Sequence, residues 1–191
     1  MEILFITSNK AKVALANERL NRYGINVKQR KYDFKEIQSF DVDKVAIDKA
    51  NQLKNTLKEE FLIEDSGFYV DALNGFPGTF SKHVFDLIGD ERFLRLLDKR
   101  DSRKVIAKSV LAYYNPKTKD IKLFTGTYEG TLSTKPRGSN RRGWMVTRIF
   151  IPKGSTKTLA EINDTKWQKF SDEFRKNDHY EQFGKWISRQ D

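Results

Sequence analysis

The chain of 191 residues is 38% hydrophobic and 13% aromatic, enough to bury a core in one large domain or two small lobes and to exclude a wholly disordered polypeptide. It has no cysteine, which removes disulfides, thiolate metal sites and thiol nucleophiles; no apolar run reaches the roughly 18 residues of a membrane span, and no basic-then-apolar leader opens the chain, so a soluble, cytoplasmic protein is expected. The 36 Lys and Arg exceed the 26 Asp and Glu to give a net charge of +10, which points to polyanionic partners such as nucleotides, nucleic acid or acidic proteins.

Residues 2–7 form an apolar run suited to a central strand of an α/β sheet, ending at Ser8-Asn9, a good helix N-cap. Val13, Ala16, Leu20 and Tyr23 then recur at helical spacing, with Gly24 where a glycine ends the helix. A strand, a polar turn and a helix present backbone N–H groups beside Lys10 and Lys12, a plausible phosphate cradle without the glycines of a P-loop. Residues 26–32 read as a second strand, followed by a loop carrying Glu36. Val42, Val45, Ala46, Ala50, Leu53 and Leu57 mark a second helix over about 43–57, with Lys49 at the edge of its apolar face.

Residues 61–70 read as a buried strand ending on Glu64 and Asp65, a Ser66-Gly67 break and a second short strand, followed by a tight turn at 74–78. Adjacent carboxylates at a strand end, flanked by glycine, suit a divalent cation and a ligand close to the backbone, or else an ordinary acidic turn. Apolar residues from Phe80 to Leu97 suggest two short helices interrupted at Gly89, with His83 a packing or surface histidine. Residues 105–114 and 121–128 form a long hairpin turning at Asn115-Pro116-Lys117, extended by strands at 130–133 and 149–151. A basic loop over 135–144 carries Arg137, Arg141, Arg142 and Trp144. One amphipathic helix closes the chain, with Trp167, Phe170, Phe174, Phe183, Trp186 and Ile187 as its buried stripe.

The ordered motifs Thr7-Ser8-Asn9-Lys10-Ala11-Lys12, Glu64-Asp65-Ser66-Gly67, Asn74-Gly75-Phe76-Pro77-Gly78, Gly126 with Gly130, Pro136-Arg137-Gly138-Ser139-Asn140, Ile149-Phe150-Ile151-Pro152 and Thr158-Leu159-Ala160-Glu161 span nearly the whole chain. Together they resemble the Ham1, or inosine triphosphate pyrophosphatase, family. The resemblance implies a single α/β domain over 1–191: a mixed, strongly curved sheet with a long antiparallel hairpin, helices packed on it, and two lobes flanking a central cleft. It also implies a homodimeric, Mg2+-dependent enzyme that cuts non-canonical purine triphosphates such as ITP and XTP into a monophosphate and pyrophosphate. Carried over by position, Asp65 and Lys49 are catalytic, and Glu36 and Asp65 hold metal or orient water, with Glu64 sharing the cation. Thr7, Asn9, Lys12, Ser66, Gly67, Lys82, Trp144 and Ser171 contact the substrate.

The base-pocket segments depart from the family pattern. Arg142 stands where Phe is expected and Met145 where Asp is expected, in a segment about two residues longer than usual. The family's Lys followed by Ser-His-Arg corresponds to Lys166-Trp167 and then Ser171-Asp172-Glu173, which replaces donors by acids; a shifted alignment brings in Arg175 and His179 instead. Unpaired polar groups on a buried base cost roughly 1–3 kcal/mol each, so recognition of a 6-keto purine is expected to be weakened. Three readings follow: a pyrophosphatase of altered base selectivity, a member that has lost its activity and acts as a dimeric or partner-binding scaffold, and a nucleic-acid binder that uses the basic loop around Trp144.

Overall fold

The computed structural model describes residues 1–139 and 144–190. Asn140, Arg141, Arg142 and Gly143, and with them the Arg-for-Phe departure, lie outside the described residues. The strands are β1 (Glu2–Ile6), β2 (Asn26–Arg30), β3 (Phe61–Val70), β4 (Pro77–Gly78), β5 (Lys104–Asn115), β6 (Asp120–Leu132) and β7 (Phe150–Pro152). The helices are α1 (Lys10–Leu20), α2 (Val42–Leu53), α3 (Ser81–Arg95), α4 (Asp164–Phe174) and α5 (His179–Ile187). Among the described residues these seven strands form one sheet in the order β2-β1-β3-β5-β6-β7, with β4 on β3. β1 runs parallel to β2 and β3, whereas β4 and β7 are antiparallel to their neighbours, so the sheet is mixed, as expected of the fold class.

The chain divides into two compact units. The first comprises Met1–Ser66, Ser109–Gly126 and Asn177–Asp191. Its strands alternate apolar residues between two faces. Ile3, Phe5, Leu62, Leu111 and Tyr113 pack against Ala16 and Leu20 of α1 and Tyr180, Phe183 and Ile187 of α5. Ile6, Phe61, Ile63, Val110 and Ala112 pack against Val42, Ala46, Ala50 and Leu53 of α2. Each fully buried phenylalanine, such as Phe5 or Phe183, contributes about 1.5–3 kcal/mol.

The second unit comprises Gly67–Lys108 and Thr127–Lys176. Its core gathers Phe68, Val70, Phe85, Phe93, Val105, Tyr128, Phe150 and Leu159, with Trp144, Met145, Trp167, Phe170 and Phe174 packed against it. The expected interruption at Gly89 is present: the residue has φ 69 and ψ 176 inside α3, a left-handed φ that favours glycine.

Three expectations are corrected. Residues 61–70 are one continuous strand, not two around a Ser-Gly break. Gly67 lies inside it because a Cβ there would collide with the Tyr69 ring, so its role is close packing rather than a turn. Similarly, the strands expected at 121–128 and 130–133 are the single strand β6, which ends at Leu132 and in which Gly130 makes room for the Ile151 carbonyl and the Phe150 ring of its neighbour. The final helix is two, because Asp178 caps a new start by accepting the Glu181 N–H at 2.8 Å.

Candidate active site

The candidate site is built in the first unit at the carboxyl end of β1, where ligands of parallel α/β sheets bind. Phe5 is level with Leu62. Continuing that register places Glu64 and Asp65 level with Thr7 and Ser8. The turn is set by local hydrogen bonds: Thr7 Oγ1 accepts the Asn9 N–H at 3.1 Å, and Asn9 Oδ1 accepts from Ala11 and Lys12 at 2.9 and 3.3 Å. Asn9 is therefore the N-cap of α1, as expected, and offers its amide nitrogen to an anion.

Successive strand residues face opposite ways, so Glu64 follows Leu62 toward α1 and α5 while Asp65 follows Ile63 toward α2. On the α2 side, Lys49 Nζ stands 2.5 Å from Asp65 Oδ2 and 2.7 Å from Glu36 Oε1. The other Asp65 oxygen accepts the Ser66 N–H at 3.1 Å, which fixes the carboxylate between backbone and ammonium. Burial alone would push the Lys49 pKa down; the charges and hydrogen bonds of Asp65 and Glu36 outweigh it and raise it. Lys49 is thus an ammonium held between two carboxylates.

On the other side, Lys12 Nζ donates to the Glu64 carbonyl at 3.0 Å and lies 3.5 Å from Oε1. The Tyr180 hydroxyl donates to Glu64 Oε2, and His179 Nε2 lies 3.8 Å from the same oxygen. Burial would push this carboxyl up, but Lys12, then His179 and Tyr180, hold it well below the usual carboxylate range. Its charge serves Lys12, on the face opposite Asp65, so Glu64 does not join Glu36 and Asp65 in a shared cluster.

The remaining expected residues belong to the second unit. Gly67 is inside β3. Lys82 is exposed and pairs with Asp86 at 2.6 Å along α3. The Trp144 ring packs edge-on against Tyr128 and Phe150 at 5.8 and 5.9 Å, and Met145 is half-buried against the same core. Ser171 is 1% exposed. Asp172 accepts from Gln168 at 3.3 Å, and Glu173 pairs with Lys176 at 2.5 Å, so both acids are engaged along α4. The Arg175 guanidinium lies 5.9 Å from the Tyr128 ring centre.

The C-terminal residues that reach the site are His179 and Tyr180, at the start of α5. His179 is one of the residues that a shifted alignment brings in, and Tyr180 belongs to none of the ordered motifs. Their signal was Asp178, an N-cap residue directly ahead of an amphipathic stretch.

Glu36 and Asp65 supply hard oxygen donors aimed at one positive charge. That donor set fits Mg2+, which takes one or two carboxylates and completes its shell with water and phosphate oxygens. Among the described residues no group of three or more His, Cys, Asp or Glu gathers into a preformed cage.

The sequence profile of the Ham1 family matches residues 3–176. A dITP/XTP pyrophosphatase of Methanopyrus kandleri is 37% identical over 186 residues, 97% of this chain and 96% of that protein. Another of that name, from Thermococcus kodakarensis, is 37% identical over 90% of each chain. Among solved structures, the Staphylococcus aureus Ham1 protein superposes with a TM-score of 0.79 at 22% identity over 100% of both chains. A HAM1 protein from Coxiella burnetii does so at 0.73 and 25% identity, covering 99% of this chain and 97% of that one.

Proposed function

Because the chain belongs to the Ham1 family, we propose that it hydrolyses nucleoside triphosphates to a nucleoside monophosphate and pyrophosphate, with non-canonical purines such as those of dITP and XTP as substrates. The observation that carries the reading is the Lys49 ammonium held between Glu36 and Asp65, with the Lys12–Glu64 pair on the opposite face of β3 one residue away.

Water adds to the α-phosphorus while the bond to the α–β bridging oxygen breaks, and pyrophosphate leaves with that electron pair. Asp65, held on one oxygen by Ser66, orients the water and takes its proton. The ammonium groups of Lys12 and Lys49 neutralise nonbridging oxygens as charge develops, the electrostatic term that dominates phosphoryl transfer. Glu64 holds the Lys12 side chain in place through its carbonyl and carboxylate. Bound through Glu36 and Asp65, Mg2+ would add further charge neutralisation at the phosphates. We read the enzyme as a cytoplasmic homodimer with altered base selectivity, the latter supported by Met145 packing into a core and Ser171 being buried.

Pyrophosphate release from ITP, XTP, dITP, ATP and GTP with Mg2+, beside an Asp65→Asn control, tests the proposal. ITP, XTP or dITP is cleaved, and the control loses about a hundredfold or more. A folded protein that releases pyrophosphate from none of the five refutes it.

A further inference from the structure

We infer that Gln52 is a positioning residue that clamps the Glu36 loop onto α2 and so sets where the Glu36 carboxylate meets Asp65. What Glu36 does once placed rests on the pyrophosphatase reading above.

Residues 31–39 have neither helix nor strand, and the Glu36 side chain is 56% exposed. Such a glutamate would sample many rotamers on a mobile backbone, yet it meets Lys49 at 2.7 Å. The segment is held at the preceding residue. Gln52 Oε1 accepts the Lys35 N–H at 3.1 Å, and Gln52 Nε2 donates to the Lys35 carbonyl at 2.7 Å. Both backbone groups of one loop residue are thus satisfied by a single side chain, as an added strand would satisfy them. The second Nε2 hydrogen goes to Asp48 Oδ2 at 2.8 Å. Only one orientation of the amide meets all three partners, so Asp48 fixes the way the clamp points.

Asp48, Lys49 and Gln52 lie within about one turn of α2, spaced so that their side chains can act together. Phe34 lies under the Lys49 ammonium, 5.7 Å from ring centre to Nζ, and packs on the α2 core. Three consecutive loop residues, Phe34, Lys35 and Glu36, are therefore read by one helical turn, and that turn also reaches Asp65 through Lys49. Gln52 touches neither carboxylate and acts through the Lys35 backbone.

The test compares the full chain with Gln52→Leu, similar in size but without hydrogen bonds, and with Gln52→Glu, which keeps the acceptor and loses the donor. Three readouts are taken: amide hydrogen exchange over residues 34–37, calorimetric titration with Mn2+ alone, and pyrophosphate release against Mg2+ concentration. In Gln52→Leu, exchange over 34–37 is faster while α2 keeps its protection, and Mn2+ affinity falls severalfold, less than the roughly ten- to hundredfold cost of losing a group bonded directly to a ligand. The Mg2+ requirement rises in step while KM for the nucleotide at saturating Mg2+ holds, and Gln52→Glu, whose carboxylate would face the Lys35 carbonyl and the Asp48 carboxylate, loses at least as much. Unchanged exchange or unchanged Mn2+ affinity in Gln52→Leu overturns the inference, as does a wild-type chain that binds no Mn2+. A wild-type chain that binds Mn2+ but cleaves no triphosphate overturns the hydrolase reading alone, with the clamp decided by exchange and titration.

Discussion

Glu64 and Asp65 are adjacent in sequence and chemically alike, but the pleat of β3 gives them different work. Asp65 faces Lys49 and Glu36, where a triphosphate and a cation would meet, while Glu64 is sealed under Lys12 and Tyr180 with its side chain 7% exposed. The acid pair and both lysines were legible as motif residues. The division of labour was not, because it depends on which helix covers each face. Because the Glu64 pKa is depressed in the folded chain, its contribution to stability is complete above the ordinary carboxylate value of 4.5 and is lost as the pH falls toward the folded value. Tyr180→Phe removes one hydrogen bond to this carboxylate. It is expected to cost about 1.5–3 kcal/mol at neutral pH and to move the acid-unfolding midpoint upward, measured by urea denaturation across a pH series.

At the scale of elements, α5 decides how the C-terminal residues reach the site. Arg19 of α1, 1% exposed, lies 3.6 Å from Asp178 and 3.5 Å from Glu181, so α1 grips the first turn of α5 through a buried ion cluster. The Tyr23 hydroxyl donates to Glu181 at 2.5 Å, and burial, then Glu181, push its pKa up to about 12. Arg19→Leu leaves both acids buried without that cation, at an expected cost of about 3–5 kcal/mol. Thermal unfolding checks the loss, and near-ultraviolet circular dichroism of the neighbouring tyrosines checks whether α5 detaches. The break before α5 was hidden from a helical-periodicity reading because aromatic residues recur on both sides of it. The Asn177-Asp178 pair, two residues that favour caps, is the local signal that separates the two helices.

For the molecule as a whole, a charge of +10 and a family of triphosphate-handling relatives point the same way. Excess positive charge raises the local concentration of an anionic substrate and speeds encounter, an effect that salt screens. The pyrophosphatase reading therefore expects kcat/KM for the triphosphate to fall severalfold from low to high salt, with kcat nearly constant, measured in steady-state assays with Mg2+ held in excess. An equal fall in kcat would place the salt effect on the chemical step or on folding instead. Among the described residues no helix is long and apolar enough to cross a membrane.

The sequence by itself determined β1, α1 and α2, the helix break at Gly89, the capping of α1 by Asn9 and the family to which the chain belongs, because these rest on local periodicity, backbone chemistry and ordered motifs. Gly67 and Gly130 misled the same reading: a glycine that opens a turn and one that admits a neighbour's ring or carbonyl look alike along the chain. Only the tertiary structure could put the Tyr180 hydroxyl on Glu64 across 116 residues of sequence, send Asp65 to the opposite face, and bring Gln52 to the backbone beside Glu36. Each of these depends on which side chains a given face of a strand or helix meets, and that is settled by packing between distant segments.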